Sequence, residues 1–331
     1  MSRLTLSAAL SGSLPTRPLL DGEVEVEGVE LIPSRLHGSE MFWRQLRFGD
    51  FDVSELSLSS LLKAHAQGDR TWTAIPVFTT RRFFHTEILV RSDRRICVPA
   101  DLVGKRVGVP EYQQTAALWT RGALLHEFGV RPQDLVWFME RNPERSHGGA
   151  TGFAPPPGVQ LSYIPPASSI GEMLESGELD AALHYLSDHN LVDRSRQNFS
   201  ASSAVRYLFA DRRAEALRYY TATGIFPINH TVVVRTELLA AHPWLALNLF
   251  GAFSRAKALI HARLLEALQP WTTTGGVAAS VAAALEADPL AYGLAATGKV
   301  LDTLADHSFE QGLTPSLTDP RELFHVSTRD L

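Results

Sequence analysis

The chain has 331 residues, of which 45% are hydrophobic and 20% charged, and its formal net charge is -5. These values are typical of a globular protein with two domains or lobes, and no run of Lys and Arg points to nucleic acid. The single cysteine, Cys97, excludes an intrachain disulfide, and no apolar run reaches the ~18 residues of a membrane span.

The N-terminal segment predicts a strand. Leu4, Leu6 and Ala8 alternate with other residues over 3–10, which indicates a β-strand. The segment lacks a long apolar region followed by a cleavage site, so we expect a cytoplasmic protein that does not associate with a membrane.

The rest of the first 95 residues alternates between strand and helix patterns, which implies a mainly parallel sheet with helices on its faces. The predicted strands cover residues 29–34, 51–56, 73–78 and 87–91, and the predicted helices cover 39–48 and 54–63.

Residues 101–122 predict a turn, a strand over 106–109, a loop over 110–114 and a helix over 115–128 that ends at Gly129. The first turn of that helix has unpaired N–H groups and the positive end of the helix dipole, which favour a carboxylate or phosphate in front of Gln114 and Thr115. An ordinary strand–helix unit capped by Thr115 remains the alternative.

The pattern continues to the end of the chain. Residues 141–158 are rich in Pro, Gly and charge, which predicts a mobile surface loop. The remaining predicted strands cover 135–138, 159–164, 179–184, 205–208 and 232–234, and the remaining helices cover 168–176, 211–219, 243–267, 278–285 and 299–311.

This order suggests a first lobe formed by residues 1–95 and 226–331, interrupted by a second lobe of residues 96–225. Two chain crossings, near 91–98 and 224–230, would form the hinge. Ligands of open parallel sheets lie outside the carboxyl ends of the strands, so the predicted site is the cleft between the lobes. The candidate segments after strand ends are 11–17, 57–59, 79–85, 112–115, 184–185 and 229–230.

Five segments together carry a resemblance to a known family: FDVSELSLSS (51–60), IPVFTTRRFFHTEILV (75–90), DLVGKRVGVPEYQQTAALWTRG (101–122), TGIFPINHTVVVR (223–235) and PWLALNLFGAFSRAK (243–257). They resemble 4,5-dihydroxyphthalate decarboxylase and its relatives, in order and over nearly the whole chain. The resemblance implies a two-lobed α/β fold like that of periplasmic binding proteins of type II, with the ligand cleft between the lobes.

The resemblance also implies cofactor-independent decarboxylation of a small hydroxylated aromatic acid. This chain departs from the family pattern in places. The pattern reads PSR followed by Arg-His, where this chain has TTR followed by Phe84 and His85. These departures leave open a substrate other than 4,5-dihydroxyphthalate.

Decarboxylation of such an acid requires a proton donor to the ring carbon and a group that polarises the phenol oxygens. Histidine suits the first role, and His230 and His85 each lie beside a predicted crossing. Glu55 is the candidate acceptor of a phenol proton. The alternatives are a structural role for the histidines and a helix-start carboxylate role for Glu55. A His/His/Glu metal site that includes Glu55 is a further alternative, although no local metal-binding spacing supports it.

Arg81 is the leading carboxylate ligand, because a guanidinium grips a carboxylate through two parallel hydrogen bonds. The other candidate substrate contacts share a position after a strand end or at a helix start, and they are Arg17, Ser57, Ser59, Tyr112, Gln114, Thr115, His184 and Asn229.

A protein that only binds an aromatic or carboxylate ligand, for transport or sensing, is the alternative function. We expect a small aromatic acid as the ligand, no cofactor and no nucleic-acid partner, and self-association stays open.

Overall fold

Two β-sheets organise the computed structural model, which describes residues 3–286, 288 and 290–331. The strands are β1 (Leu4–Leu10), β2 (Val29–Arg35), β3 (Val53–Ser57), β4 (Trp72–Arg81), β5 (Leu89–Arg91), β6 (Arg106–Val109), β7 (Val136–Met139), β8 (Gln160–Tyr163), β9 (Ala181–Ala182), β10 (Val205–Tyr207) and β11 (Ile228–Arg235).

The α-helices pack on the faces of these sheets. They are α1 (Arg17–Leu20), α2 (Gly38–Phe48), α3 (Leu58–Ala66), α4 (Thr115–Phe128), α5 (His147–Thr151), α6 (Ile170–Ser176), α7 (Arg212–Thr223), α8 (Thr236–Ala241), α9 (Leu245–Thr273), α10 (Ala279–Glu286) and α11 (Gly298–Glu310).

The first sheet has the strand order β2-β1-β3-β11-β4. Strand β1 pairs in parallel with β2 and β3, whereas β11 is inserted antiparallel between β3 and β4. The second sheet has the order β10-β5-β9-β6-β7-β8, in which β6 to β9 are parallel and β5 is antiparallel to both of its neighbours. Two mixed, mainly parallel sheets flanked by helices confirm the predicted α/β class.

The first chain crossing lies earlier than predicted. Strand β5, which the sequence analysis assigned to the first lobe, pairs with β9 and β10 of the second sheet. The chain therefore crosses between Arg81 and Leu89, and the crossing predicted near 91–98 is wrong. A strand of three residues has too few side chains for its pattern to specify which sheet it joins. The division of the chain into lobes otherwise stays a prediction.

The segment 141–158 was predicted as a mobile surface loop, and the structure places only part of it at the surface. It contains the short helix α5, and Arg141, Ser146, His147 and Thr151 are buried. The Ser146 hydroxyl accepts a hydrogen bond from the backbone N–H of Gly149 and caps the helix. The segment connects β7 to β8 within the second sheet, and its buried side chains alternate with exposed residues such as Glu144 and Arg145.

Helix α4 has the bounds that its sequence predicts. It ends where Gly129 adopts a left-handed conformation with φ 70°, which glycine tolerates without a Cβ clash. Its first ten residues are all buried, and α4 contacts helices α3 and α11 and strand β11.

No helix in the described part of the chain is both long enough and apolar enough to cross a membrane.

Strand β1 supplies a test of the first sheet's core. Leu10 is 0% exposed within a cluster that includes Val53 and Val232, whereas nearby Leu14 is 58% exposed. We expect Leu10→Ala to lower the free energy of unfolding by about 2–5 kcal/mol, because the deletion leaves a cavity. The matched change Leu14→Ala should stay within about 0.5 kcal/mol of the parent in urea unfolding. Equal effects of the two changes would contradict this packing.

Candidate active site

A cavity of about 420 Å³ opens between the two sheets. The first sheet and its connections contribute polar residues to its lining, and these are Ser13, His37, Ser39, Ser57, Thr79, Thr80, Arg81, Arg82, Asn229 and His230. The second sheet and its connections contribute Gln114, Thr115, Arg141, His147, His184 and Asp188. The cavity therefore lies where the sequence predicts a cleft.

The insertion of β11 positions His230. In the pairing register, His230 lies opposite Ser57 of β3 on one side and Thr80 of β4 on the other. The pairing with β4 is irregular on both sides of His230, and such bulges commonly redirect a side chain beside an active site. Three strand ends thus meet at one point of the cavity wall.

A buried carboxylate supports His230 from behind. The Nδ1 atom of His230 lies 3.4 Å from Oε2 of Glu55, and its Nε2 atom lies 2.8 Å from Nδ2 of Asn229. Glu55 is fully buried, which raises its pKa, but His230, Thr79 and Ser11 together outweigh burial and hold the pKa of Glu55 below its ordinary value. The carboxylate can therefore balance a positive charge on the His230 ring.

Arg81 brings a positive charge to the same wall. Its side chain donates a hydrogen bond of 2.6 Å to the carbonyl of Ala291, while its Nε atom is buried and has no hydrogen-bond partner among the described residues. Burial lowers the pKa of Arg81, although a guanidinium stays charged at neutral pH. A buried charge with an unused donor is costly, and an anionic ligand would relieve that cost.

The opposite wall contains the start of α4. Gln114 precedes the helix without capping it through its side chain, and its Nε2 atom is buried without a partner among the described residues. The Thr115 hydroxyl lies 2.9 Å from the Ser57 hydroxyl and accepts a 2.9 Å hydrogen bond from the backbone N–H of Ser59. The helix dipole and the first-turn N–H groups therefore face the cavity across from Arg81.

The sequence analysis missed Arg141 and His147. Arg141 is fully buried, with Nε 2.7 Å from Oδ1 of Asp193 and a 2.6 Å hydrogen bond to the Ser39 hydroxyl. His147 lies 3.0 Å from the Ser60 hydroxyl, and burial together with Arg141 lowers the pKa of His147 well below its ordinary value. Both residues belong to the segment interpreted as a loop, and Ser146, a favoured helix cap, was the available signal.

His184 lines the cavity from the second sheet. It has a left-handed backbone with φ 49°, and its ring lies edge-on to Phe84. Burial, with Arg82 and Arg141 nearby, lowers the pKa of His184 to about 3. The Glu87 carboxyl lies 4.0 Å from its Nδ1, but burial raises the pKa of Glu87 itself. The His184 ring is therefore neutral at neutral pH.

Two predicted site residues lie elsewhere. His85 is buried against α7, with Nε2 3.1 Å from Oε1 of Glu215 and its ring against Tyr219. Tyr112 is buried under the Arg121 guanidinium, 3.9 Å from the ring centroid. Neither lines the cavity. A position after a strand end does not specify which side of a short turn faces the cleft. The side chains of His85 and Tyr112 both point into the protein core.

Three further predicted residues do not line the cavity, for different reasons. Arg17 is exposed at the start of α1. The Ser59 hydroxyl is buried and donates to the carbonyl of Gln113 at 2.5 Å. Glu55 lies behind His230, and its oxygens already accept hydrogen bonds from Ser11 and Thr79. The alternative His/His/Glu metal site would need both hinge histidines beside Glu55, but His85 pairs with Glu215 instead.

Comparisons with known proteins give the chain its family. No family model matches it. It is 35% identical over 331 residues to a 4,5-dihydroxyphthalate decarboxylase of Comamonas testosteroni, covering 99% of this chain and 98% of that protein. It is 37% identical over 223 residues to a 4,5-dihydroxyphthalate decarboxylase of Pseudomonas putida, covering 67% of this chain and 83% of that protein.

The chain belongs to the 4,5-dihydroxyphthalate decarboxylase family, a family of carboxy-lyases. Among solved structures, the alkanesulfonate-binding protein SsuA from Xanthomonas axonopodis pv. citri is similar, with a TM-score of 0.57 and 15% identity over 98% of each chain. This likeness confirms the predicted fold of periplasmic-binding-protein type, and the predicted family is confirmed as well.

The neutral ring of His184 predicts a pH dependence of stability. In the unfolded chain its pKa returns to about 6.5, so the unfolded state binds more protons between pH 6.5 and 3. The contribution of the neutral His184 ring to the free energy of unfolding is present above pH 6.5 and is lost as the pH falls towards 3. From pH 7 to pH 5, wild type should lose about 2 kcal/mol more than His184→Asn, which tolerates the left-handed backbone. Urea unfolding at the two pH values measures this difference, and equal losses would contradict it.

Proposed function

We propose that the chain decarboxylates a hydroxylated aromatic carboxylic acid of the 4,5-dihydroxyphthalate type in the cavity between the sheets, without a cofactor. The observation that carries the proposal is the presence, on one wall of the cavity, of the unpartnered Arg81 Nε and of a histidine next to a buried carboxylate. The free Arg81 donor suits the binding of an anionic substrate, and the histidine beside the carboxylate suits the role of proton donor. The two relatives named as decarboxylases of this acid support the reaction class.

His230 is the proposed proton donor. A general acid must hold a proton before it transfers one, and among the cavity histidines discussed above, His230 is the one beside a carboxylate of lowered pKa. The pKa values of His147 and His184 are both lowered by burial, so these rings are neutral and suit hydrogen bonding to phenol oxygens. Glu55 acts as a positioning residue, because its oxygens do not reach the cavity.

The proposed step conserves atoms and charge. His230 transfers its proton to the ring carbon that bears the leaving carboxylate, and the ring becomes a cationic electron sink. The bond between that carbon and the carboxylate then breaks, its electron pair restores the aromatic ring, and CO2 departs. The neutral His230 ring then regains a proton from solvent, and Glu55 stabilises the imidazolium that forms.

Arg81 and the start of α4 are proposed to hold the carboxylates of the substrate. Arg81 has an unused donor at one wall, and Gln114 offers its unpartnered Nε2 beside the helix N-terminus at the other. An aromatic acid with two adjacent carboxylates could contact both walls at once. Such a grip orients the ring over His230, and orientation is a large part of the rate that an enzyme supplies.

A function in binding alone is the competing proposal, since the fold is also that of the sulfonate-binding protein SsuA. Purified protein would be incubated with a panel of hydroxylated benzoates and phthalates, while CO2 release and thermal shift are recorded in parallel. A thermal shift without CO2 from any member of the panel would establish binding without decarboxylation and overturn the proposed reaction.

The donor assignment is tested on the panel member that wild type decarboxylates. We expect His230→Gln to lower kcat by roughly 10²- to 10⁴-fold, the usual contribution of a general acid, while ligand-induced thermal shift is retained. His85→Gln is the matched control, because His85 contacts Glu215 outside the cavity. It should keep kcat within a few fold despite a loss of stability. Full turnover in His230→Gln would assign the proton to another group.

Arg81 provides a test of substrate binding. We expect Arg81→Gln to raise KM roughly 10- to 100-fold, because a charged hydrogen bond to a carboxylate contributes about 1.5–3 kcal/mol. Arg82 is the control, since it lies on the same rim but is exposed and pairs with Glu87 at 3.3 Å. Arg82→Gln should change KM by less than about threefold, as for an exposed charge. Steady-state kinetics on both variants decide, and an unchanged KM in Arg81→Gln would remove Arg81 from the substrate contacts.

A further inference from the structure

A second cluster of titratable residues lies between α4 and α11, outside the cavity described above. His126, His307 and Glu310 each present one ligand atom, and these three atoms lie within 4.8 Å of one another. The Nε2 atom of His126 is 2.7 Å from Oε2 of Glu310, and the Nδ1 atom of His307 is 3.7 Å from the same oxygen. The two imidazole rings stack with centroids 4.9 Å apart.

The ring of His307 is held in a fixed orientation. A Cβ atom at Gly122 would lie 2.5 Å from its Nε2, so the absence of a side chain there lets the ring pack against α4. Trp119 contacts the ring edge-on at 5.5 Å. His307 is 6% exposed, and its Nδ1 atom is buried with no hydrogen-bond partner among the described residues. This arrangement aims an unused nitrogen lone pair or N–H at Glu310.

Space for a further ligand adjoins the three residues. They line a cavity of about 290 Å³, whose wall also includes the acidic residues Glu127 and Asp306 and one cationic residue, Lys299. A water molecule could occupy the position that the protein side chains leave open. Two imidazoles and a carboxylate around such a space form the donor set of a transition-metal site.

We propose that His126, His307 and Glu310 bind a zinc ion. With metal–ligand distances of about 2.0–2.1 Å, neighbouring ligand atoms of a tetrahedral site lie about 3.3 Å apart. The distances from Glu310 to the two ring nitrogens, 2.7 and 3.7 Å, lie on either side of that value. Small rotations of the exposed His126 and Glu310 side chains would complete the geometry around the fixed His307 ring. Water fills the fourth position.

The zinc ion has a structural role. His126 follows Thr115 by eleven residues, which places it about 17 Å along α4 from the helix start that lines the first cavity. The metal would join α4 to α11 beside an existing link, in which Arg121 of α4 donates a 2.8 Å hydrogen bond to the side chain of Gln311. Zinc therefore stabilises the attachment of α11 to α4 and takes no part in the chemical step of the proposed decarboxylation.

The test uses the untagged full chain, freed of metal with a chelator and without substrate. Calorimetric titration with Zn²⁺ should give one saturable site per chain, and saturation should raise Tm by several degrees, because a ligand of the native state stabilises it. We expect His126→Ala and Glu310→Gln to weaken zinc binding by about 100-fold or more and to abolish the Tm shift. Both residues are exposed, so these variants avoid the buried His307.

His242→Ala is the matched control, because His242 contacts Trp244 away from α4 and α11. It should bind zinc as wild type does. Titration with Co²⁺ adds a geometric readout: intense visible bands of a four-coordinate ion, absent in His126→Ala, would support the site. The proposal is overturned if wild type shows no saturable zinc site, if His126→Ala and Glu310→Gln bind zinc as tightly as wild type, or if the cobalt spectrum is that of a six-coordinate ion.

Discussion

The buried carboxylate of Glu55 connects the fold of the first sheet to its chemistry. A charge removed from water must be satisfied by donors, and Glu55 on β3 finds them at the ends of the neighbouring strands. Ser11 after β1 donates through both its backbone N–H and its hydroxyl, Thr79 of β4 donates a 2.6 Å hydrogen bond, and His230 of β11 lies at 3.4 Å. The Glu55 carboxylate therefore holds β1, β3, β4 and β11 together behind the cavity wall that contains His230.

Hydroxyl groups connect the cavity wall at the start of α4 to the wall formed by the first sheet. Thr115 at the start of α4 contacts Ser57 at the end of β3 and the backbone of Ser59, and Ser59 reaches back to Gln113. These buried contacts run between the two sheets and are satisfied within the protein. The hydroxyls that the sequence suggested as substrate contacts are therefore largely used to hold the two walls together. Arg81 and Gln114 are among the cavity residues that keep a buried donor without a partner in the described part of the chain.

The sequence predicted the parts of the site that follow from strong local signals. Helix α4 has a strand before it and Gly129 after it, and its observed bounds are the predicted ones. His230 follows Pro227 into an apolar strand and lines the cavity, while its role stays a proposal. His85 follows a strand end equally well, yet its ring packs against α7, because the direction of a side chain in a short turn depends on tertiary neighbours. Arg141 and His147 were missed for the converse reason: a composition typical of loops conceals a buried ion pair whose partner, Asp193, lies 52 residues away along the chain.

Helix α4 shows how one rigid element can serve two sites of different character. Its N-terminal turn faces the cavity, where the helix dipole favours an anion. Its last turns carry His126 beside α11, where the proposed ligand is a cation, and the C-terminal end of the same dipole favours positive charge. The part of α4 between the two sites is buried and is held by the hydrogen bond between Arg121 and Gln311. Anchoring the C-terminal end of the helix therefore also fixes the orientation of its N-terminal end. A metal ion at α11 would therefore act on the proposed decarboxylation only by holding Gln114 and Thr115 in place, which is a contribution to positioning and not to the chemical step.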